Sequence, residues 1–310
     1  MSQEFTQIEW NEEVAFDCRQ LIRLWVHEDL ARGHDWTTLA IVDEGARAQA
    51  VVRSRGNGII CGIRAAQTAL DEMEIPAKWS SFVSDGDQVE VGEKSASLSG
   101  PARDLLTVER LLLNLLGHLS GISTLTQQYV ASVSGTTTAV YDTRKTTPGW
   151  RRLEKYAVRC GGGRNHRSGL YDAILIKDNH LAFAADHAED GEAPLLTAMR
   201  RTRGLLNKDR PTDTTDTMIM EVEVDTLEQL RTALEAQPTM VLLDNFSLEM
   251  LREACQLRDQ ICPKVQLEAS GGIQLGTMRK IAATGVDRIS VGALTHSAPN
   301  FDVGLDWGSS

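Results

Sequence analysis

The chain has 310 residues, a formal net charge of -11, 42% hydrophobic residues and 24% charged residues. This length allows one large domain or two ordinary ones, and this composition is typical of a globular protein rather than a disordered one. Because nucleic-acid binding requires positive surface charge, the acidic balance argues against general binding of DNA or RNA.

The first 130 residues predict a mixture of helices and short strands. Residues 1–13 are acidic and polar, unlike a signal peptide, and residues 14–30 predict an amphipathic helix. Short β-like runs separated by glycine, asparagine and aspartate turns occupy residues 49–99. A leucine-dense helix is predicted over residues 101–130. Its most apolar part, residues 111–119, falls short of the roughly 18 apolar residues that span a membrane.

This leucine-dense helix also carries a polar stripe. Arg110, Asn114, His118 and Gly121 recur at steps of three or four residues, so they share one helix face. The stripe fits either a capped or ion-paired face or a site that an anion occupies. An arginine in apolar surroundings is costly unless something anionic meets it.

Strands and helices alternate from residue 136 onward, which predicts a parallel sheet with helical crossovers and both faces covered. Either a barrel or an open doubly wound sheet is compatible with this pattern. No GxGxxG motif follows the first strand, so a dinucleotide-binding domain is disfavoured. Residues 182–216 predict a helix and a variable surface loop. The six predicted strands are Thr138–Tyr141, Ala173–Ile176, Met218–Val224, Met240–Leu243, Val265–Leu267 and Arg288–Val291.

Charged, polar or glycine residues stand at the end of every predicted strand. The carboxyl ends of parallel strands meet at one edge, where α/β barrels carry their chemistry. These residues therefore predict a polar rim around one pocket. In chain order the ends are Asp142–Lys145, Lys177–His180, Glu221 with Glu223, Asp244 with Asn245, Glu268–Gly272 and Gly292–His296.

Positive charge is concentrated between Arg144 and Lys177, which contain nine lysines and arginines and only two acidic residues. The segment favours a pocket for a small polyanion, since arginine suits planar carboxylates and lysine suits phosphate. A basic surface for RNA is the alternative, although stacking aromatic residues are sparse. Alternation places Glu221, Glu223 and Asp225 on one strand face, where carboxylates can hold Mg²⁺ or ribose hydroxyls.

These segments closely resemble the quinolinate phosphoribosyltransferase family. The resemblance implies an α/β fold, with an N-terminal α/β sandwich domain followed by an incomplete α/β barrel of about six or seven parallel strands. We expect domains at residues 1–125 and 126–297, and a tail at residues 298–310 that returns to the N-terminal domain. The matching stretches are DTRKTTPGWR at Asp142–Arg151, the stretch Lys155–His180 ending in LIKDNH, EVEVDTLEQL at Glu221–Leu230, LLDNF at Leu242–Phe246, LEASGGI at Leu267–Ile273 and GVDRISVGALTHSAP at Gly285–Pro299.

The resemblance implies that quinolinate and phosphoribosyl pyrophosphate (PRPP) yield nicotinate mononucleotide, pyrophosphate and CO2, a step of NAD biosynthesis. It implies a cytoplasmic homodimer or higher assembly that uses Mg²⁺ and binds neither nucleic acid nor membrane. Carried over by position, Arg110 (from the partner chain), Arg144, His166, Arg167 and Lys177 bind quinolinate. Lys145, Glu223 and Asp244 engage PRPP, the last two through Mg²⁺ and ribose, while Ser270, Gly271, Gly272 and Gly292 hold the 5′-phosphate. The implied catalytic residues are Lys145, Lys177, Glu223 and Asp244.

Other functions stay open at this point. A molybdenum-transport-associated protein of similar fold and a nicotinate-specific phosphoribosyltransferase are close alternatives. Lys177 at a strand end also fits the Schiff-base lysine of a barrel aldolase. The five cysteines are odd in number and lack CxxC spacing, so we expect reduced thiols and no zinc site.

Overall fold

The computed structural model describes residues 3–31, 33–189, 191–209 and 218–308. The strands are β1 Arg47–Ser54, β2 Gly58–Ile59, β3 Lys78–Ser81, β4 Gln88–Val89, β5 Lys94–Pro101, β6 Ala139–Tyr141, β7 Ile174–Ile176, β8 Met220–Val224, β9 Met240–Asp244, β10 Gln266–Ser270, β11 Arg288–Ser290 and β12 Val303–Gly308. The helices are α1 Glu12–Leu30, α2 Trp36–Ile41, α3 Ile63–Glu72, α4 Ala102–Ser132, α5 Arg151–Cys160, α6 Asp178–Ala185, α7 Pro194–Asp209, α8 Leu227–Ala236, α9 Leu248–Ile261, α10 Met278–Ala282 and α11 Ala293–His296, with a 3-10 turn at Leu275–Thr277.

The chain forms two compact units, and each is assembled from separate stretches of sequence. The barrel unit contains residues 1–6, 129–144 and 164–291, and the sandwich unit contains residues 7–128, 145–163 and 292–310. The expected division was residues 1–125 and 126–297, with a tail at residues 298–310 that returns to the N-terminal domain. Short segments at the chain start and after β6 therefore lie in different units from their neighbours in sequence.

The barrel unit contains a six-stranded parallel sheet in the order β6-β11-β10-β9-β8-β7. Within the described residues its edge strands β6 and β7 do not pair with each other, so the barrel is incomplete, as the resemblance implied. Instead, Arg164 forms a parallel bridge with Tyr141 on the free edge of β6. All six predicted strands are confirmed, with ends shifted by up to three residues.

The register of this sheet decides which side chains share a face. Glu223 of β8 lies opposite Leu242 of β9, and Glu268 of β10 lies opposite the same leucine. Because side chains alternate along a strand, Glu221, Glu223 and Glu268 all belong to one face of the sheet. The sequence MVLLD of β9 is buried almost throughout, since both of its faces are covered.

The sandwich unit contains a four-stranded antiparallel sheet in the order β12-β1-β5-β3. The carboxyl-terminal strand β12 pairs with β1 from Ser54–Val303 to Gln49–Gly308. Helix α1 begins where the side chain of Asn11 accepts hydrogen bonds from the backbone N–H groups of Glu13 and Val14.

Helix α4 is the long leucine-dense helix that the sequence predicts. It is long and apolar enough to cross a membrane by length and composition, yet 67% of its most apolar window is buried inside the protein. Its leucines, among them Leu112, Leu115 and Leu119, are almost fully buried. This burial is typical of the core helix of a folded domain. The predicted surface loop after α7 lies partly outside the described residues, at 210–217.

Candidate active site

The carboxyl edge of the parallel sheet gathers most of the predicted site residues. Lys177 directly follows β7, Glu223 is the last residue but one of β8, and Asp244 and Ser270 end β9 and β10. Arg144 stands three residues beyond β6. Because all six strands run parallel, these positions share the edge where α/β barrels hold their substrates.

Asp142 fixes the loop that carries His166 and Arg167. Its carboxylate is fully buried and accepts two hydrogen bonds, at 2.9 Å from the backbone N–H of His166 and at 2.7 Å from the side-chain amide of Asn165. The Arg167 guanidinium donates to the carbonyl of Ala173 at 3.0 Å. The first residue after β6 therefore fixes a loop more than twenty positions downstream.

Two guanidinium groups lie close together at this edge. Arg167 is only 7% exposed, and its pKa is lowered by burial and then by the positive charge of Arg144, while Glu221 and Asp172 partly compensate. The Nε of Arg144 is buried and has no hydrogen-bond partner within the described parts of the chain. Such a donor is costly unless an acceptor meets it, which indicates an anion site.

Lys177 and Glu223 form a direct ion pair between neighbouring strands. The lysine side chain is 42% exposed, whereas the glutamate side chain is 15% exposed. The amine end of this lysine is therefore engaged by a carboxylate. This contact disfavours the Schiff-base alternative, in which the amine must be free to attack a carbonyl.

Glu223 and Asp244 supply the oxygen ligands that Mg²⁺ prefers. Both belong to one face of neighbouring strands, since Glu223 is in register with Leu242, two residues before Asp244. Asp244 also accepts a hydrogen bond from the side chain of Asn245 at 2.9 Å. The donor set fits a magnesium ion that substrate oxygens help to coordinate.

The turn after β10 requires glycine. Gly271 and Gly272 have φ angles of 89° and 60°, in the left-handed region. A side chain on Gly271 would collide with Asn245, whose backbone N would lie 2.9 Å from the added Cβ. Ser270, Gly271 and Gly272 therefore form a tight turn of the kind whose N–H groups bind phosphate.

The sandwich unit contains the three remaining predicted residues. A Cβ on Gly292 would lie 3.1 Å from the side chain of Lys145, and Thr295 donates to the Lys145 carbonyl at 2.8 Å. Lys145 and Gly292 are therefore neighbours within this unit. Arg110 lies exposed on α4, one turn before the exposed Asn114. His118, next along the predicted polar stripe, pairs instead with the buried Glu154 at 3.0 Å.

Part of the basic segment has a structural role that the sequence did not reveal. Arg152 pairs with Asp17 at 2.9 Å, and Arg164 pairs with Glu4 at 3.3 Å. Both partners are more than a hundred positions away in the chain. At least two of the nine basic residues are thus paired with carboxylates of the chain itself, which weakens the RNA-binding alternative.

A buried cluster of His166, Glu221 and Glu268 was also missed as a unit. The His166 Nε2 lies 3.0 Å from Glu221 and 3.5 Å from Glu268, and both carboxylates are fully buried. Burial is the main cause that raises the pKa of each carboxyl group to about 7; the charge of Glu221 adds to the rise at Glu268, and the charge of Arg288 acts in the opposite direction on both. The available sequence signal was the alternation of acidic residues in β8. The closeness of Glu221 to Glu268 on β10 could not be read from it, because that closeness depends on the register of both strands with β9.

Comparisons with known proteins identify the family. Residues 35–120 match the family model "Quinolinate phosphoribosyl transferase, N-terminal domain", and residues 122–306 match the C-terminal domain of the same family. A Mycobacterium leprae nicotinate-nucleotide pyrophosphorylase [carboxylating] is 42% identical over 290 residues, 93% of this chain and 96% of the relative. A probable enzyme of that name from Bacillus subtilis is 37% identical over 288 residues, 93% and 92% of the two chains.

A solved structure gives the same result. The nicotinate-nucleotide pyrophosphorylase of Francisella tularensis superposes with a TM-score of 0.86 at 35% identity, covering 98% of this chain and 100% of that one. Both family domains and both halves of the fold are thus represented. The chain therefore belongs to the quinolinate phosphoribosyltransferase family.

Proposed function

We propose that this protein is a decarboxylating phosphoribosyltransferase that converts quinolinate and PRPP into nicotinate mononucleotide, pyrophosphate and CO2, a step of NAD biosynthesis. One observation carries the proposal beyond the family relationship. Arg144 and Arg167 lie close enough for the charge of one to lower the pKa of the other. Paired guanidinium groups at a strand edge suit a substrate with two adjacent carboxylates.

Quinolinate is a pyridine that carries two neighbouring carboxylates. Arg144 and Arg167 bind these carboxylates, and Lys177 provides a further cation beside them. His166, which is buried, is proposed to belong to the same binding site. Binding a dianion next to the negatively charged PRPP needs this concentration of positive charge, since the two substrates repel each other.

The reaction then depends on position and charge. The quinolinate nitrogen forms a bond to C1′ of the ribose, while the C1′–O bond breaks and pyrophosphate leaves with its electron pair. Glu223 and Asp244 stabilise the positive charge that develops on the sugar or orient its hydroxyls. The new pyridinium accepts the electron pair that remains when the adjacent carboxylate departs as CO2, and a proton then takes its place. Lys145 and Lys177 are proposed to assist as cations.

PRPP is proposed to bind along the rest of the edge. Ser270, Gly271, Gly272 and Gly292 hold its 5′-phosphate through backbone N–H groups. Glu223 and Asp244 would hold Mg²⁺, which would supply positive charge to neutralise the leaving pyrophosphate.

We also propose a homodimer or higher assembly in which Arg110 reaches the neighbouring subunit's site. The exposure of Arg110 on α4 supports this role, because an arginine that serves a neighbour must be accessible. A cytoplasmic location is supported by the cysteines, all five of which are free thiols.

The test is a coupled assay for pyrophosphate release from PRPP with either quinolinate or nicotinate as the acceptor, together with trapping of CO2. We expect turnover with quinolinate, release of one CO2 per pyrophosphate, and loss of turnover when Mg²⁺ is chelated. Turnover with nicotinate alone would favour the monocarboxylate alternative. No turnover with either acceptor would refute the proposed reaction.

A further inference from the structure

His166, Glu221 and Glu268 need a role, because burying two carboxylates costs free energy. Their possible ligand atoms all lie within 4.8 Å of one another. The His166 Nε2 faces both carboxylates, at 3.0 Å from Glu221 and 3.5 Å from Glu268, and the Arg288 guanidinium adds positive charge near both acids. The cluster is therefore either a metal site or a pair of carboxylates that orients the His166 ring.

The hydrogen bond at the other ring nitrogen decides between these two readings. The backbone N–H of Arg167 donates to His166 Nδ1 at 2.8 Å, so this nitrogen carries a lone pair. In a neutral imidazole the proton is then on Nε2, the atom that faces the two glutamates. A protonated Nε2 cannot bind a metal ion, but it can donate to a carboxylate. The geometry therefore favours a support in which the Nε2–H faces the two carboxylates.

The ring is held on a third side as well. Phe5 stacks on His166 with ring centroids 4.3 Å apart and an interplanar angle of 29°. Phe5 is itself buried in a cluster with Tyr141, Ala173 and Met240. His166 is thus restrained at its face and at both nitrogens.

We propose that Glu221 and Glu268 are positioning residues, which hold His166 in its Nε2–H form so that its Nδ1 fixes the backbone of Arg167. The inference rests on the proposed binding of quinolinate by Arg167. The two acids therefore support the quinolinate site without touching the substrate.

Steady-state kinetics of Glu221→Leu and Glu221→Gln test this role. Glutamine keeps an oxygen that accepts the Nε2–H, whereas leucine does not. We expect Glu221→Leu to raise the KM for quinolinate about ten-fold or more, a loss of about 1.4 kcal/mol, with the KM for PRPP changed less than about two-fold. Glu221→Gln should recover most of this loss. An unchanged quinolinate KM in Glu221→Leu would overturn the proposal.

Glu154→Leu is the matched control for Glu221→Leu, because Glu154 is also buried and also lies 3.0 Å from a histidine Nε2, that of His118 in the sandwich unit. It should lower stability while changing the quinolinate KM by less than about two-fold. A rise as large as that of Glu221→Leu would show general disturbance and would overturn the specific role.

A measurement on the unaltered protein does not depend on turnover. Nitrogen NMR of protein labelled with ¹⁵N-histidine, with the His166 signals assigned by their loss in His166→Gln, reports which ring nitrogen carries the proton. We expect a proton on Nε2 and a lone pair on Nδ1, and no displacement of either signal by Mg²⁺ or Zn²⁺. A proton on Nδ1, or a shift caused by either metal, would overturn the inference. An inactive protein with the expected tautomer would instead refute the proposed reaction.

Discussion

Replacing Glu268 with glutamine should change how the stability of the protein depends on pH. The pKa of Glu268 is raised from 4.5 to about 7, first by burial and then by the charge of Glu221, with His166 and Arg288 acting in the opposite direction. Glutamine has nearly the same shape but no titrating proton. The comparison therefore isolates the free energy that ionisation of this one buried group costs.

The sign follows from proton binding. Between pH 4.5 and 7 the folded protein holds a proton on Glu268 that the unfolded chain has released, so the wild-type free energy of unfolding falls as pH rises through this window. A shift of about 2.5 pKa units corresponds to roughly 3 kcal/mol at 1.36 kcal/mol per unit. Because Glu221 titrates in the same window and is coupled to Glu268, this is the order of magnitude of the effect.

Urea unfolding of both proteins at pH 5, 6, 7 and 8 measures the effect. The difference in unfolding free energy, Glu268→Gln minus wild type, should become more positive from pH 5 to pH 8 by up to about 3 kcal/mol. Only the change with pH is used, since the loss of the carboxylate's other contacts adds a constant offset. A difference that stays flat, or that falls as pH rises, would refute the reasoning.

Three further predictions concern the substrate sites. Arg144→Ala should cost about 2–4 kcal/mol in kcat/KM for quinolinate. Arg144→Lys should recover only part of this loss, because lysine cannot form the two-pronged contact with a carboxylate. A wild-type kcat/KM in either variant would contradict the role of Arg144. Gly271→Ala should lower the free energy of unfolding by about 1–3 kcal/mol more than Gly92→Ala does. Both glycines have positive φ, but only at Gly271 would the added Cβ collide with a neighbour. Equal urea midpoints for the two variants would contradict this prediction. Mixing inactive Arg110→Ala and Arg144→Ala subunits should restore up to about one quarter of wild-type activity if Arg110 acts across a dimer, and none if it acts within its own chain.

The regular elements could be predicted because their sequences are locally decisive. Apolar, β-branched runs such as Met240–Asp244 are strands buried on both faces, and Leu227–Ala236 begins with Thr226 as its N-cap. The polar strand ends likewise predicted the rim, since parallel strands bring their carboxyl ends to one edge. These inferences need only local pattern and the direction of the strands.

Long-range partners could not be predicted in this way. The sequence shows Arg164 as one more cation in a basic segment, yet its carboxylate partner is Glu4, at the start of the chain. Arg288 similarly reaches Glu4 at 3.1 Å and lies over the ring of Tyr141. Glu268 was visible only as a residue at a strand end, because its closeness to Glu221 depends on the register of three strands.

The buried acids of the barrel unit, Glu221 and Glu268, affect the cations at the strand edge. Along β8, Glu221 lies two residues, or about 6.6 Å, below Glu223, and therefore below the edge where Lys177 stands. Negative charge beneath the edge offsets the repulsion that would otherwise separate Arg144 and Arg167 before a substrate arrives. If Glu221 and Glu268 were hydrogen-bonded directly to the two arginines, an anionic substrate would have to displace these carboxylates in order to bind. Because Glu221 and Glu268 instead face His166, the Nε of Arg144 keeps its hydrogen bond for a carboxylate.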